Sequence, residues 1–152
     1  GSFRPFYEGL CIAEESSEIV VSEYNVPQCR DTRISYLHVN DINRKFDVIL
    51  SISSVEHDGL GRYGDEINPS GDIEAMSKII NSMHDDSVLF LSVPIGKDKI
   101  EWNAHRIYGR IRLPMLLNGL KVVWSSFDVE GINDNILDSV SRSNQLMILR
   151  KN

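Results

Sequence analysis

The sequence predicts an α/β fold, a mostly parallel sheet covered by helices with an antiparallel last strand, in one domain spanning residues 1–152. Three observations carry this. Helical and strand patterns alternate over most of the chain, which places parallel strands beside crossover helices. The run 46–53 is apolar enough for a strand buried on both faces, as parallel strands are. The chain then finishes on two strands joined by a polar stretch with no full helical stripe, and a closing pair of that kind argues for an antiparallel partner.

Each element has a local reason. Residues 3–15 read as a short helix, with Pro5 suited to a first turn and Phe6, Leu10 and Ala13 at helical spacing. Residues 18–24 (EIVVSEY) read as a strand stopped by Asn25-Val26-Pro27, and 34–39 (ISYLHV) as a second. Residues 41–45 are a polar break before the strand 46–53. Ile73, Met76, Ile79, Ile80 and Met83 mark one apolar stripe of a helix that Ser70 or Asp72 can cap. His84-Asp85-Asp86 reads as a turn, and 87–93 (SVLFLSV) as the next strand, ended by Pro94 and Gly96. A long loop covers 97–112. Residues 113–118 form a short helix with Pro114 near its start and Gly119 at its stop. Strands follow over 121–127 and 145–150, and 128–144 is polar with one helical turn.

Composition narrows the function. A chain of 152 residues is large enough for a real core. With 41% hydrophobic and 25% charged residues it is an ordinary globular composition, not a disordered or collagenous one. A net charge of −6 speaks against a binder of nucleic-acid phosphates, although Arg106, Arg110 and Arg112 leave room for a local basic patch. No apolar run reaches membrane-spanning length. Cys11 and Cys29 have neither metal-ligand spacing nor the number for a disulfide framework, so they do not fix a compartment. Cys11 reads as core packing. The expected partner is a small-molecule substrate.

Residues 55–72, VEHDGLGRYGDEINPSGD, are the chemically densest stretch. They hold four of the ten glycines together with Glu56, His57, Asp58, Arg62, Tyr63, Asp65 and Asp72. A long ionisable loop at the carboxyl end of a buried strand is where open α/β sheets bind ligands. The 97–112 loop should hang over the same edge, bringing Trp102, His105, Arg106 and Tyr108.

The segments GSFRPFYEGLCIA, VSEYNVP, FDVILSISSVEHDGLGRYGD, VPIGKD, WNAHRIYG and IRLPMLLNG resemble the DUF268 family over residues 1–128. That family is grouped with class I S-adenosylmethionine-dependent methyltransferase-like folds. The resemblance implies a Rossmann-like methyltransferase sheet, met here from its second strand onward, with S-adenosylmethionine as cofactor. The first strand and its glycine-rich turn would lie before Gly1-Ser2. Such a gap is expected to be filled by a longer native N-terminus, a rearranged strand order, or a partner chain, which makes a homodimer one expectation.

Several residues take roles under this resemblance. Gly1, Glu23, Ser54 and Glu56 are the candidate cofactor contacts. Glu23, ending the 18–24 strand, could accept two ribose hydroxyl bonds, or be a solvated strand end. His57 and His105 are the candidate acid–base residues, since imidazole exchanges protons near neutral pH. Alternatively His57 packs while Glu56 and Asp58 brace the loop. Arg62, Tyr63, Trp102 and Arg106 are candidate substrate contacts. Arg62 could clamp an anion or pair internally with Asp58, Asp65 or Asp72. The glycines 59, 61 and 64 lack the Lys-Ser/Thr of a phosphate-binding loop, so they read as positive-φ positions of a compact loop. His57, Asp58, Asp65, Asp72 and His105 could form a hard metal site only without helical ligand spacing, and no metal is expected. His38 and His84 carry no further signal.

The leading expectation is a methyltransferase acting on a small polar acceptor, such as a sugar. A non-catalytic binding or scaffold module of the same fold is the alternative, and a metal-assisted hydrolase a third.

Overall fold

The computed structural model describes residues 5–23, 31–140 and 143–152, in two units, 1–44 and 45–152. The first unit holds helix α1 (Phe6–Ala13) and strands β1 (Ile19–Glu23) and β2 (Ile34–His38). These strands pair in parallel, Ile19 opposite Ile34 and Glu23 opposite His38. Glu18 and Arg44 close the pair with an exposed ion pair at 2.6 Å. Helix α1 inverts the expected stripe: Phe6 and Leu10 are 70% and 48% exposed, while Glu8 is buried. Cys11 is half-buried, not a core residue.

The second unit begins with β3 (Phe46–Ile52), a single 3₁₀ turn (Val55–His57) and helix α2 (Gly71–Asn81). It continues with β4 (Met83–Pro94), the short strands β5 (Lys99–Glu101) and β6 (His105–Ile107), and helix α3 (Arg112–Leu116). Strand β7 (Leu120–Ser125), helix α4 (Asp134–Val140) and strand β8 (Asn144–Lys151) complete it. The main sheet has the order β3-β4-β8-β7. Strand β3 runs parallel to β4, whereas β8 runs antiparallel to both β4 and β7.

This corrects the expected fold class. The sheet is mixed, with one parallel and two antiparallel pairings, and is not the mostly parallel Rossmann-like methyltransferase sheet. The cause is the placement of β8. A strand inserted between two others sets the sense of two pairings at once, and hydrophobic periodicity reports that a strand exists without reporting its neighbours.

Alternate residues of β4 build the core. Leu89, Leu91 and Val93 are fully buried, as is Ile95 just past the strand's end, and Met147 and Leu149 of β8 join them. Met76 of α2, Leu113 and Leu116 of α3, and Leu137 of α4 pack onto this layer. Strand β3 is less buried than its sequence suggests. Val48 is 55% exposed, and among the described residues β3 pairs with β4 alone in this sheet. The expected turn at His84-Asp85-Asp86 is a bulge inside β4. Between its pairings Phe46↔Met83 and Val48↔Val88, β4 advances five residues while β3 advances two. The three polar residues arch outward, and the Ser87 hydroxyl donates to the Phe46 carbonyl at 2.5 Å to close the arch.

The 97–112 loop also contains more structure than its sequence reveals. Strands β5 and β6 form an antiparallel hairpin, Lys99 opposite Ile107. The Asp98 carboxylate accepts hydrogen bonds from the amides of Gly109, Ile111 and Arg112, at 2.9, 2.9 and 3.0 Å, and so satisfies the start of α3. Gly119, with φ +84, ends the turn after α3 as expected of a left-handed stop.

Candidate functional site

The 55–72 loop leaves the carboxyl end of β3 through Ser53, a non-glycine residue at φ +49. Such a conformation costs about 1–3 kcal/mol and clusters at functional sites. The side-chain amide of Asn144, at the start of β8, donates to the Ser53 hydroxyl. The loop then folds back onto the start of α2. Gly59, at φ +77, and Gly71 approach so closely that a Cβ on Gly71 would lie 2.7 Å from Gly59 Cα. The Asn68 amide donates to the Gly59 carbonyl at 2.9 Å.

Three charged groups frame this loop from within. Asp65 accepts from the amides of Gly59, Gly61 and Tyr63 at 2.7, 3.2 and 3.2 Å. Burial would push its carboxyl up, but those amides outweigh burial and hold it below its ordinary range. Asp72 is fully buried and accepts two bonds from Arg112, at 2.8 and 2.5 Å, and one from the Tyr108 hydroxyl at 3.0 Å. Burial, reinforced by the Asp72 charge, keeps the Tyr108 phenol protonated. Arg106 is also fully buried. Its guanidinium donates to the carbonyls of Asp58 and Asn68 at 2.5 and 3.2 Å and lies 3.6 Å from Asp72.

Arg106, expected to meet a substrate anion, is therefore spent on holding the loop, and with Arg112 paired to Asp72 the suspected basic patch dissolves. Arg62 does not take the internal pairing with Asp58, Asp65 or Asp72 that was one of its expected alternatives. It is exposed, and it donates to the Asn103 carbonyl at 3.1 Å instead of to an aspartate.

The hairpin turn between β5 and β6 docks on the loop at two adjacent carbonyls. Asn103, itself at φ +51, is held by Arg62, and the Ala104 carbonyl lies 2.5 Å from His57 Nδ1. This joint gathers the remaining candidates. The His57 ring meets Tyr63 edge-on at 5.5 Å and His105 edge-on at 6.2 Å. Tyr63 and Trp102 are 51% and 70% exposed, while His57 and His105 are half-buried. Burial lowers the His57 pKa below its ordinary value, and the charges of Arg62 and His105 act in the same direction. His57 is thus neutral near pH 7.

Glu56 lies beneath this joint. It is 2% exposed, and burial pushes its carboxyl up to about 7. Its Oε1 lies 3.7 Å from His57 Nε2, and no hydrogen-bond donor among the described residues reaches Oε2. Ser54 opens the 3₁₀ turn, its carbonyl accepting from the His57 amide at 3.0 Å. Glu23 ends β1 in the other unit with a half-buried side chain. Gly1 lies outside the described residues.

The structure brings together His57, His105, Glu56, Tyr63 and Arg62 with the turn carrying Trp102, and it diverts Arg106 to the frame. Among the described residues no group of three or more His, Cys, Asp or Glu side chains is arranged to hold a metal ion. A surface cleft of about 300 Å³ lies elsewhere, lined by Lys97, Asp98, Leu137 and Asp138 and bridged by the exposed Lys97–Asp138 pair at 2.9 Å. Sequence reasoning missed Asp98 and the two turn carbonyls, because a backbone acceptor leaves no mark in side-chain identity.

A family model described as Caenorhabditis protein of unknown function, DUF268, matches residues 1–151. No curated protein matches the chain.

Proposed function

The chain belongs to the DUF268 family, and we propose that it is an S-adenosylmethionine-dependent methyltransferase acting on a hydroxyl of a small polar acceptor such as a sugar. The observation that carries this reading is the joint of the two loops. There a pair of histidine rings, 6.2 Å apart, sits beside exposed Tyr63 and Trp102 on a frame whose own charges are already paired. Exposed aromatic faces can receive the apolar side of an acceptor, and a half-exposed imidazole can take the proton its hydroxyl loses.

The cofactor, when bound, supplies an electrophilic methyl group. Of the residues assigned to it, Glu23 has the right donor chemistry, a carboxylate at a strand end able to accept two ribose hydroxyls. Glu56 does not fit, because its carboxyl is closed off from ligand. His57 has both ring nitrogens turned toward protein groups, so His105 is the better placed proton acceptor.

Calorimetry on the full-length protein tests the reading. S-adenosylmethionine or S-adenosylhomocysteine should bind, and Glu23→Ala should weaken binding about tenfold or more, the loss of one charge-assisted bidentate contact. Absence of binding to the full-length protein would sink it.

A second reading, a binding or scaffold module without chemistry, is favoured by one observation. The charged side chains that frame the loop, Arg106, Arg112, Asp65 and Asp72, are engaged in internal bonds. It predicts that the double replacement of His57 and His105 by Ala leaves the biological role intact.

A further inference from the structure

The cleft between the end of β4 and helix α4 has two lobes, of about 300 and 440 Å³, which share Lys97, Asp98 and Leu137. Small-molecule sites run from about 300 to 1,000 Å³. The backbone beside it is fixed. The Gly96 amide donates to the Tyr108 carbonyl at 3.0 Å, and a Cβ on Gly109 would lie 2.6 Å from the Gly96 carbonyl oxygen. The Asp98 carboxylate binds the amides on both sides of Arg110, those of Gly109 and Ile111. Arg110 is thus presented on an anchored segment. Most charges around it are already matched. Asp98 faces those amides, and Lys97 pairs with Asp138 across the cleft at 2.9 Å. Arg106 and Arg112 hold the 55–72 loop and Asp72. Arg110 is exposed, lines the larger lobe, and has no hydrogen bond or ion pair among the described residues.

An unmatched guanidinium suits a carboxylate or phosphate, either of which it can hold by two parallel bonds. A ligand amine would meet like charge there. Asp134 lines the same lobe and can accept hydroxyl hydrogens, while Leu137 and the 73% exposed Ile111 offer a place to C–H surface. Anion, hydroxyls and C–H faces together describe one ligand class. We propose that this cleft binds an anionic sugar, a sugar phosphate or a sugar acid, with its anion on Arg110 and its hydroxyls on Asp134. Ile107 of the cleft wall and His105 of the joint lie two residues apart on β6, about 7 Å along the strand. The cleft is therefore a neighbour of the candidate proton acceptor. That the bound sugar is the methyl acceptor rests on the methyl-transfer reading, but the binding does not.

Backbone-amide NMR titration of the isotope-labelled full chain, without S-adenosylmethionine, tests the proposal with glucose 6-phosphate, glucuronate, glucose and inorganic phosphate as probes. Glucose 6-phosphate or glucuronate should shift the amides of Lys97, Arg110, Ile111 and Leu137 saturably, and bind about tenfold or more tighter than glucose. The tighter of the two distinguishes phosphate from carboxylate. Arg110→Ala should weaken that binding about tenfold or more with an unchanged melting temperature, because the side chain has no partner to lose, and Arg110→Lys should keep part of it. No saturable shift with either anionic sugar overturns the proposal, as does equal binding of glucose or an Arg110→Ala variant that binds like wild type. Inorganic phosphate binding as tightly as glucose 6-phosphate would show a bare anion site and overturn the sugar assignment. Sugar binding in a protein that fails to bind S-adenosylmethionine would remove the methyl-transfer reading and leave the cleft assignment standing, so the two ideas fall separately.

Discussion

Glu56 is where a single residue's cost can be measured. Its folded pKa is raised from 4.5 to about 7, so folding favours the neutral acid. The sign follows from linkage: the unfolded chain releases this proton first, and stability declines as pH rises from about 4.5 to about 7, then levels off. At about 1.4 kcal/mol per pH unit, the loss is about 3 kcal/mol or a little more. Glu56→Gln, neutral at every pH, should therefore raise stability above pH 7 by up to about 3 kcal/mol and leave it nearly unchanged near pH 4.5. Denaturant melts at the two pH values check this, and an equal gain at both would show that the carboxyl is not held neutral. The sequence flagged Glu56 as a site residue but assigned it to a cofactor, because adjacency to His57 is visible in a string and burial is not. Arg106 was misjudged for the same reason. Its partners are carbonyls some 40 residues upstream, a distance along the chain that no local pattern encodes.

At the scale of elements, the 55–72 loop behaves as a folded unit and not as a flexible connector. Its amides find Asp65, its carbonyls find Arg106, and its two ends meet at Gly59 and Gly71. Gly59→Ala would need a Cβ at positive φ and against the Asn68 carbonyl. That substitution should cost about 2 kcal/mol or more, measured by thermal or chemical unfolding, with a loss below about 0.5 kcal/mol refuting the close contact. The glycines' need for positive φ was legible, since a glycine-rich loop without a phosphate-binding signature has few other uses. The β5–β6 hairpin was not. Its strands are three residues each, LysIleGlu and HisArgIle, too short and too polar to show alternation, and they exist because Asp98 and the docked turn anchor both ends.

For the whole molecule, strand positions were largely readable and strand neighbours were not. Six of the eight strands follow from apolar runs and their polar breaks, the two of the hairpin being the exception, and the bulge at His84–Asp86 lies where three polar residues look like a stop. The pairing order depended on where β8 lands, which is a tertiary choice. Its inner position carries the heaviest structural debt in the second unit. Residues Leu89–Pro94 of β4 and Leu120–Ser125 of β7 both take their ladder bonds from it. Removing residues 144–152 should therefore abolish cooperative unfolding of the whole 45–152 unit, read by near-ultraviolet dichroism or calorimetry. A truncated chain that still melts sharply would mean that β4 and β7 are held by the helices alone.

The same placement bears on how the protein is made. A ribosome releases β3, the framed loop, α2 and β4 before β8 emerges, so while about 50 further residues are made β4 offers an open edge beside Leu89 and Leu91. The nascent chain must wait in that state, with the loop unable to rest against a finished sheet. Slower translation between β4 and β8 is expected to lengthen that exposure, a consequence of the strand order.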